Sequence, residues 1–109
     1  MRQPELPELG RIVEVTQGRD RGLFAVVIGY GGDRFILVAD GRLRKADKPK
    51  KKNVAHVRRT SFLAEEIRVA LQTEGRVTNA QLRHALRVAL PELLTLDGDP
   101  KGGAGDGEG

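Results

Sequence analysis

The sequence predicts a mainly β fold with an α-helical appendage: a small five-stranded barrel followed by a two-helix C-terminal extension. Two observations carry that expectation. As far as residue 57 the apolar residues fall in short, β-branched and aromatic runs separated by Gly and Asp, and beyond residue 60 the apolar spacing becomes helical. A third observation bears on function: the bases and acids are unevenly distributed. Up to Pro91 there are 18 Lys and Arg against 10 Asp and Glu, a net charge of +8, whereas Glu92 onward holds five acids and one base, a net of −4.

The strands are expected as follows. Residues 10–15 (GRIVEV) make a short first strand. Residues 23–30 (LFAVVIGY) and 34–39 (RFILVA) flank Gly31, Gly32 and Asp33, a hairpin signal. Asp40 and Gly41 mark a second turn, followed by a short strand over 42–45, a charged loop over 48–53 (KPKKKN) and a last strand over 54–57. Five short strands with tight turns suit a closed barrel, which also removes sticky unpaired edges. A first helix is expected from an N-cap at Thr60 or Ser61 to about Glu74, with Leu63, Ile67, Ala70 and Leu71 on one stripe and Gly75 as its stop. A second begins at the capping box Thr78-Asn79-Ala80-Gln81, with Val77 and Leu82 placed as a hydrophobic staple. It continues through Leu86 and Leu90 until Pro91 interrupts its hydrogen bonding. The expected organisation is an N-terminal arm (1–9), the barrel (10–60), the helical extension (61–91) and an acidic, Gly-rich disordered tail (92–109), of which residues 97–109 hold almost nothing to bury.

Composition narrows the function classes. With no cysteine there is no disulfide, thiolate metal site or thiol nucleophile, which fits a reducing cytoplasm. The proline-broken start, MRQPELPELG, is neither a secretory signal nor a membrane span. His56 and His84 stand 28 positions apart with no ligand-spaced partner, so no metal is expected. No nucleophile–base grouping, paired carboxylate site or nucleotide fingerprint stands out; a Walker-type phosphate loop is excluded because GxxxxGK[ST] is absent. The expectation is a protein without catalysis, cofactor, metal or small-molecule substrate.

Polyanion binding is what the bases favour. Residues 15–29 (VTQGRDRGLFAVVIG) read as strand, loop, strand, with Gly18 and Gly22 letting backbone amides approach a ligand and Arg19 and Arg21 projecting beside them. A structural turn in which Asp20 neutralises a neighbouring arginine is the plain alternative. Between 42 and 59 nine bases, Arg42, Arg44, Lys45, Lys48, Lys50, Lys51, Lys52, Arg58 and Arg59, face one acid, Asp47. Such a run repels itself in the isolated protein and gains from counterion release on a phosphate backbone; its plain alternative is a solvated loop guarding a sheet edge. Arg83 and Arg87, one helical turn apart, extend the basic face or simply solvate it. Phe24, Tyr30, Phe35 and Phe62 are the only aromatics, and at least the first three lie in strands. Few rings are left to stack bases, so folded RNA read through backbone and shape is favoured over single strands. Tyr30, beside a glycine turn, is the one candidate for nucleotide contact.

GRDRGLFAVVIG resembles a KOW motif, the glycine-centred strand–loop–strand element of ribosomal proteins and NusG-type elongation factors, with Gly22 at its hallmark glycine. The likeness continues through residues 36–52 (ILVADGRLRKADKPKKK), 56–60 (HVRRT) and 77–82 (VTNAQL), so the span of roughly 10–90 is similar to small bacterial KOW-domain RNA-binding proteins. Those are related to the archaeal and eukaryotic large-subunit ribosomal protein family numbered fourteen-e. The resemblance implies an SH3-like barrel that binds RNA as a ribosomal or ribosome-associated protein. The partners it implies are large-subunit ribosomal RNA and neighbouring ribosomal proteins. Two other readings stay open: a transcription-associated nucleic-acid binder, and an SH3-like protein-interaction adaptor using the two-helix face.

Overall fold

The computed structural model describes residues 5–93. It shows a five-stranded antiparallel sheet and two helices: β1 (Arg11–Val15), β2 (Phe24–Gly32), β3 (Phe35–Ala39), β4 (Lys50–Asn53), β5 (Val57–Leu63), α1 (Glu65–Glu74) and α2 (Asn79–Glu92). The strand order is β4-β3-β2-β1-β5. The two end strands follow each other in sequence through a single 3-10 turn, Val54–His56.

The runs of β-branched residues explain the sheet, because both of its faces are buried. Ile12, Val26 and Ala39 point to one face, where Ala64, Ile67, Ala70, Val77, Leu82, Ala85, Ala89 and Leu93 of the helical segment cover them. Val13, Ala25, Val27, Ile36 and Val38 point to the other, where Leu6, Leu9 and Val57 pack. Neighbouring residues such as Ile12 and Val13, or Val26 and Val27, therefore serve opposite cores, which is why these strands are apolar at successive positions rather than alternate ones. The arm residues 5–9 belong to the structure. The Tyr30 hydroxyl donates to Pro7 O at 2.7 Å, Arg59 donates to Glu5 O, and Arg11 pairs with Glu8 at 2.9 Å. That ion pair holds the Glu8 carboxyl down at about 2.

Several expectations are corrected. Residues 42–45 form a turn, not a strand: the buried Asp40 carboxylate accepts hydrogen bonds from the amides of Arg42 (2.9 Å) and Arg44 (2.8 Å) and curls the chain. The lysine run, expected as a loop, supplies strand β4. Lys50, Lys51 and Lys52 pair with Val38, Leu37 and Ile36 of β3, and at the end of the strand order lysines are compatible with pairing and discourage a further strand. Residues 54–56 form the 3-10 turn, capped by the Asn53 side chain, and the last strand starts only at Val57. Thr60 is buried within that strand, its hydroxyl donating to Ile12 O at 2.7 Å, so α1 begins at Glu65 with Ala64 as N-cap; Leu63 belongs to β5. The capping box of α2 forms with both reciprocal bonds. Pro91 lies inside α2, which runs into the expected tail: Leu93 is fully buried and its amide bonds to Ala89 O and Leu90 O, holding the last turn despite the missing proline N–H. The buried stripe of α2 is Leu82, Ala85, Ala89 and Leu93, while Leu86 is half-buried and Leu90 is 38 % exposed. The remainder of the tail lies outside the described residues.

Candidate nucleic-acid interface

Three loop or edge segments carry eight of the eleven expected bases, and hydrogen bonding fixes each. The β1–β2 connection is closed at its neck, where Val15 N donates to Leu23 O (2.9 Å) and Gly22 N to Val15 O (2.7 Å). Gly18 and Gly22 both adopt φ of +93°, the left-handed conformation expected of them. Arg19 and Arg21 point into solvent. Asp20 between them turns away: its Oδ2 accepts from Arg44 Nη2 at 2.8 Å and Nε at 3.1 Å. It thus neutralises an arginine 24 residues distant and ties this loop to the second segment.

The 40–46 turn is held at both ends. Asp40 N and Gly41 N donate to Arg44 O at 2.9 and 3.0 Å. The turn also docks on the start of α2, where Ala46 N donates to Asn79 Oδ1 (2.7 Å) and Arg83 Nη1 donates to Gly41 O (2.9 Å). Arg42, Leu43 and Lys45 are left outward, Leu43 being 72 % exposed. Two stretches on which the family resemblance rests, 36–52 and 77–82, are therefore bonded to each other.

Strand β4 divides its lysines between two sides. Lys50 and Lys52, opposite Val38 and Ile36, sit on the side of the β1–β2 loop; a Cβ on Gly18 would lie 3.7 Å from Lys52 Nζ. Lys51 turns the other way, its Nζ 4.8 Å from the centre of the Phe35 ring and its stem beside Gly31. Arg44 holds the Asp20 carboxyl below the usual carboxylate range, and Lys52 and Lys50 add to the effect. Arg19 and Arg21 flank Asp20 in the chain, Arg42 and Lys45 lie within two residues of Arg44, and Lys50 and Lys52 act on the Asp20 carboxylate, so this neutral pair joins the segments that carry these six bases.

Three of the eleven expected bases are committed to holding the fold. Arg44 is paired with Asp20, Arg58 reaches Glu14 Oε1 across the β1–β5 ladder at 2.8 Å, and Arg59 anchors the arm through Glu5 O. Arg19, Arg21, Arg42, Lys45, Lys48, Lys50, Lys51 and Lys52 have no carboxylate partner among the described residues. Tyr30 is 44 % exposed, but its hydroxyl is occupied by the arm. Arg83 and Arg87 line the same groove as Arg42; their i, i+4 spacing placed the two on one helix face, but nothing in the sequence signalled the approach to Arg42. No group of three or more potential metal ligands occurs among the described residues, and none of their helices is long and apolar enough to cross a membrane.

Because Asp20 is held in its charged form by the fold, its contribution to stability is present above its ordinary value of 3.8 and is lost as pH falls through the lower, folded value. Replacing Asp20 by Asn is expected to cost about 1 kcal/mol at pH 7, the scale of a partly exposed, well-aligned ion pair. The gap between the two proteins, followed by urea melts across pH, should close below pH 3.8. A gap independent of pH would mean that the carboxylate charge is not what holds the loop.

Fold and charge together define a class: a small antiparallel β protein, braced by two helices, that presents fixed loops rich in bases without acidic partners. No family model matches the chain. A protein of Bacillus subtilis (strain 168) described as "Putative ribosome-binding protein YbzG" is 31% identical over 71 residues, spanning 65% of this chain and 96% of that protein. The chain belongs to the same family as that protein.

Proposed function

We propose that this protein is a cytoplasmic, non-enzymatic RNA-binding protein that works on the ribosome. The observation that carries this is that one internally neutralised Asp20–Arg44 pair joins segments holding six bases with no carboxylate partner among the described residues, Arg19, Arg21, Arg42, Lys45, Lys50 and Lys52. Fixed cations at that density repel one another until a phosphate backbone displaces their counterions. Lys48 and Lys51 widen the surface, while Arg44, Arg58 and Arg59 keep its elements in register. Ribosome binding is what the name of the Bacillus subtilis relative states for that protein; together with the cation surface it favours ribosomal RNA, and by the family resemblance the large subunit.

In this reading the β1–β2 connection is a KOW element, and the two-faced burial of the sheet is that of an SH3-like barrel related to the fourteen-e ribosomal proteins. Sedimentation of the tagged protein from native lysate, at low and high salt, tests the proposal. Co-migration with the large subunit that loosens as salt rises is the expected result. Protein remaining at the top of a low-salt gradient would overturn the ribosomal assignment.

A further inference from the structure

A groove of about 540 Å³ runs between the β1–β2 loop, the Arg42 turn and α2. Leu23, Phe24, Leu86 and Leu90 line it, with Arg42, Arg83 and Arg87 among the same walls. Gly22, which also lines it, belongs to the loop that carries Arg19 and Arg21, so the groove continues the basic surface rather than standing apart from it. The arginines are available: Arg42 and Arg87 have no carboxylate partner among the described residues, and Arg83 commits Nη1 to Gly41 O, leaving its other nitrogens.

A groove lined by apolar side chains and three arginines, its one acid, Asp40, already bonded to the amides of Arg42 and Arg44, sorts the features of a folded RNA. A duplex presents phosphates and base edges, with its apolar base faces stacked out of reach, so it gains from the arginines but not from the leucines. An unstacked nucleotide offers both an apolar face and an attached phosphate. We propose that this groove takes one unpaired nucleotide from a bulge or loop of the bound RNA, its base against Leu23, Phe24, Leu86 and Leu90 and its phosphate on Arg42 and Arg87. The inference rests on the RNA-binding reading above and adds to it a preference for bulged over fully paired RNA. A short acidic, leucine-containing protein segment is the competing occupant of such a groove, but the continuity with the Arg19–Arg21 loop favours RNA.

Two RNA hairpins that differ only by a single-nucleotide bulge test the site, with the full chain, its Arg87→Glu variant and its Leu90→Trp variant. The chain has no tryptophan, so Leu90→Trp reports on the groove alone. The bulged hairpin should bind about tenfold more tightly than the paired one, the lower end of what burying one base is worth. Arg87→Glu should erase that preference while the paired hairpin still binds, and the tryptophan emission should respond to the bulged hairpin only. Equal affinity for both hairpins, unaltered by Arg87→Glu, overturns the groove assignment and leaves RNA binding standing. A tryptophan that responds to a synthetic Leu-Glu repeat peptide and to neither hairpin gives the groove to an acidic protein segment and likewise overturns it. Failure of the unmodified chain to bind either hairpin overturns this site and the RNA reading together.

Discussion

Replacing Gly41 by alanine is expected to cost about 3–4 kcal/mol, a large part of the roughly 5–15 kcal/mol that holds a small domain folded. Two effects combine. Gly41 has φ of +81°, a left-handed conformation that costs a residue with a Cβ about 1–2 kcal/mol. The added Cβ would also lie 2.4 Å from Asn79 O and 3.0 Å from Arg83 Cγ, so the turn and the N-terminus of α2 cannot both stay where they are. Either one moves, and the bonds from Ala46 N to Asn79 Oδ1 and from Arg83 to Gly41 O weaken together. Gly22→Ala separates the two effects, because Gly22 has φ of +93° but a methyl group there would meet nothing within 4 Å. It should lose only the backbone share, about 1–2 kcal/mol. In thermal melts the Gly41 variant should fall by about 8–16 °C more than the Gly22 variant, taking a difference of about 2 kcal/mol and about 4–8 °C per kcal/mol for a domain of this size. Equal losses would show that the docking of the turn on α2 contributes nothing to stability.

That turn also marks where local reading of the sequence stops. Strands β2 and β3 and the capping box of α2 were legible because their determinants lie within a few residues: β-branched runs around a glycine turn, and Thr78 with Gln81. The lysine strand was not legible. Nothing within KPKKKN favours extension, and β4 exists because β3 offers it a ladder from Phe35 to Val38. Thr60 reads locally as a helix cap, yet its hydroxyl is claimed by Ile12 O, 48 residues away, and this keeps the segment in the sheet. Pro91 reads as a stop, but burial of Leu93 outweighs the one hydrogen bond lost so near the helix end.

The same limit applies to the site. Charge counting picked out the basic stretch but not which bases are spoken for. The partners of Arg44 and Arg58 stand 24 and 44 residues away, and only the folded sheet brings Asp20 and Glu14 to them. The arginines of the stretch are thus partly structural, and the lysines are the surplus.

Reversing that surplus is the second large effect expected. Lys50→Glu, Lys51→Glu and Lys52→Glu together should leave the protein folded. None of the three has a carboxylate partner to lose among the described residues, and the β3–β4 ladder is made by backbone groups. The stability cost should be small, coming from the Lys51–Phe35 contact, worth about 0.5–1 kcal/mol, and from replacing the attraction of Lys50 and Lys52 for the Asp20 carboxylate by repulsion. RNA binding should fall at least about 100-fold at low salt, since three phosphate contacts become three repulsions. If the native chain engages about six phosphates its log–log salt slope should be about −4, and removing three should roughly halve it. The single variants sharpen the test. Lys50 and Lys52 face the Arg19–Arg21 loop, whereas Lys51 lies over Phe35 on the other side. Lys50→Glu and Lys52→Glu should therefore each weaken binding more than Lys51→Glu. Equal losses would mean that the RNA wraps around the sheet edge and touches both sides of β4, and an unchanged affinity in the triple variant would remove the lysine strand from the interface altogether.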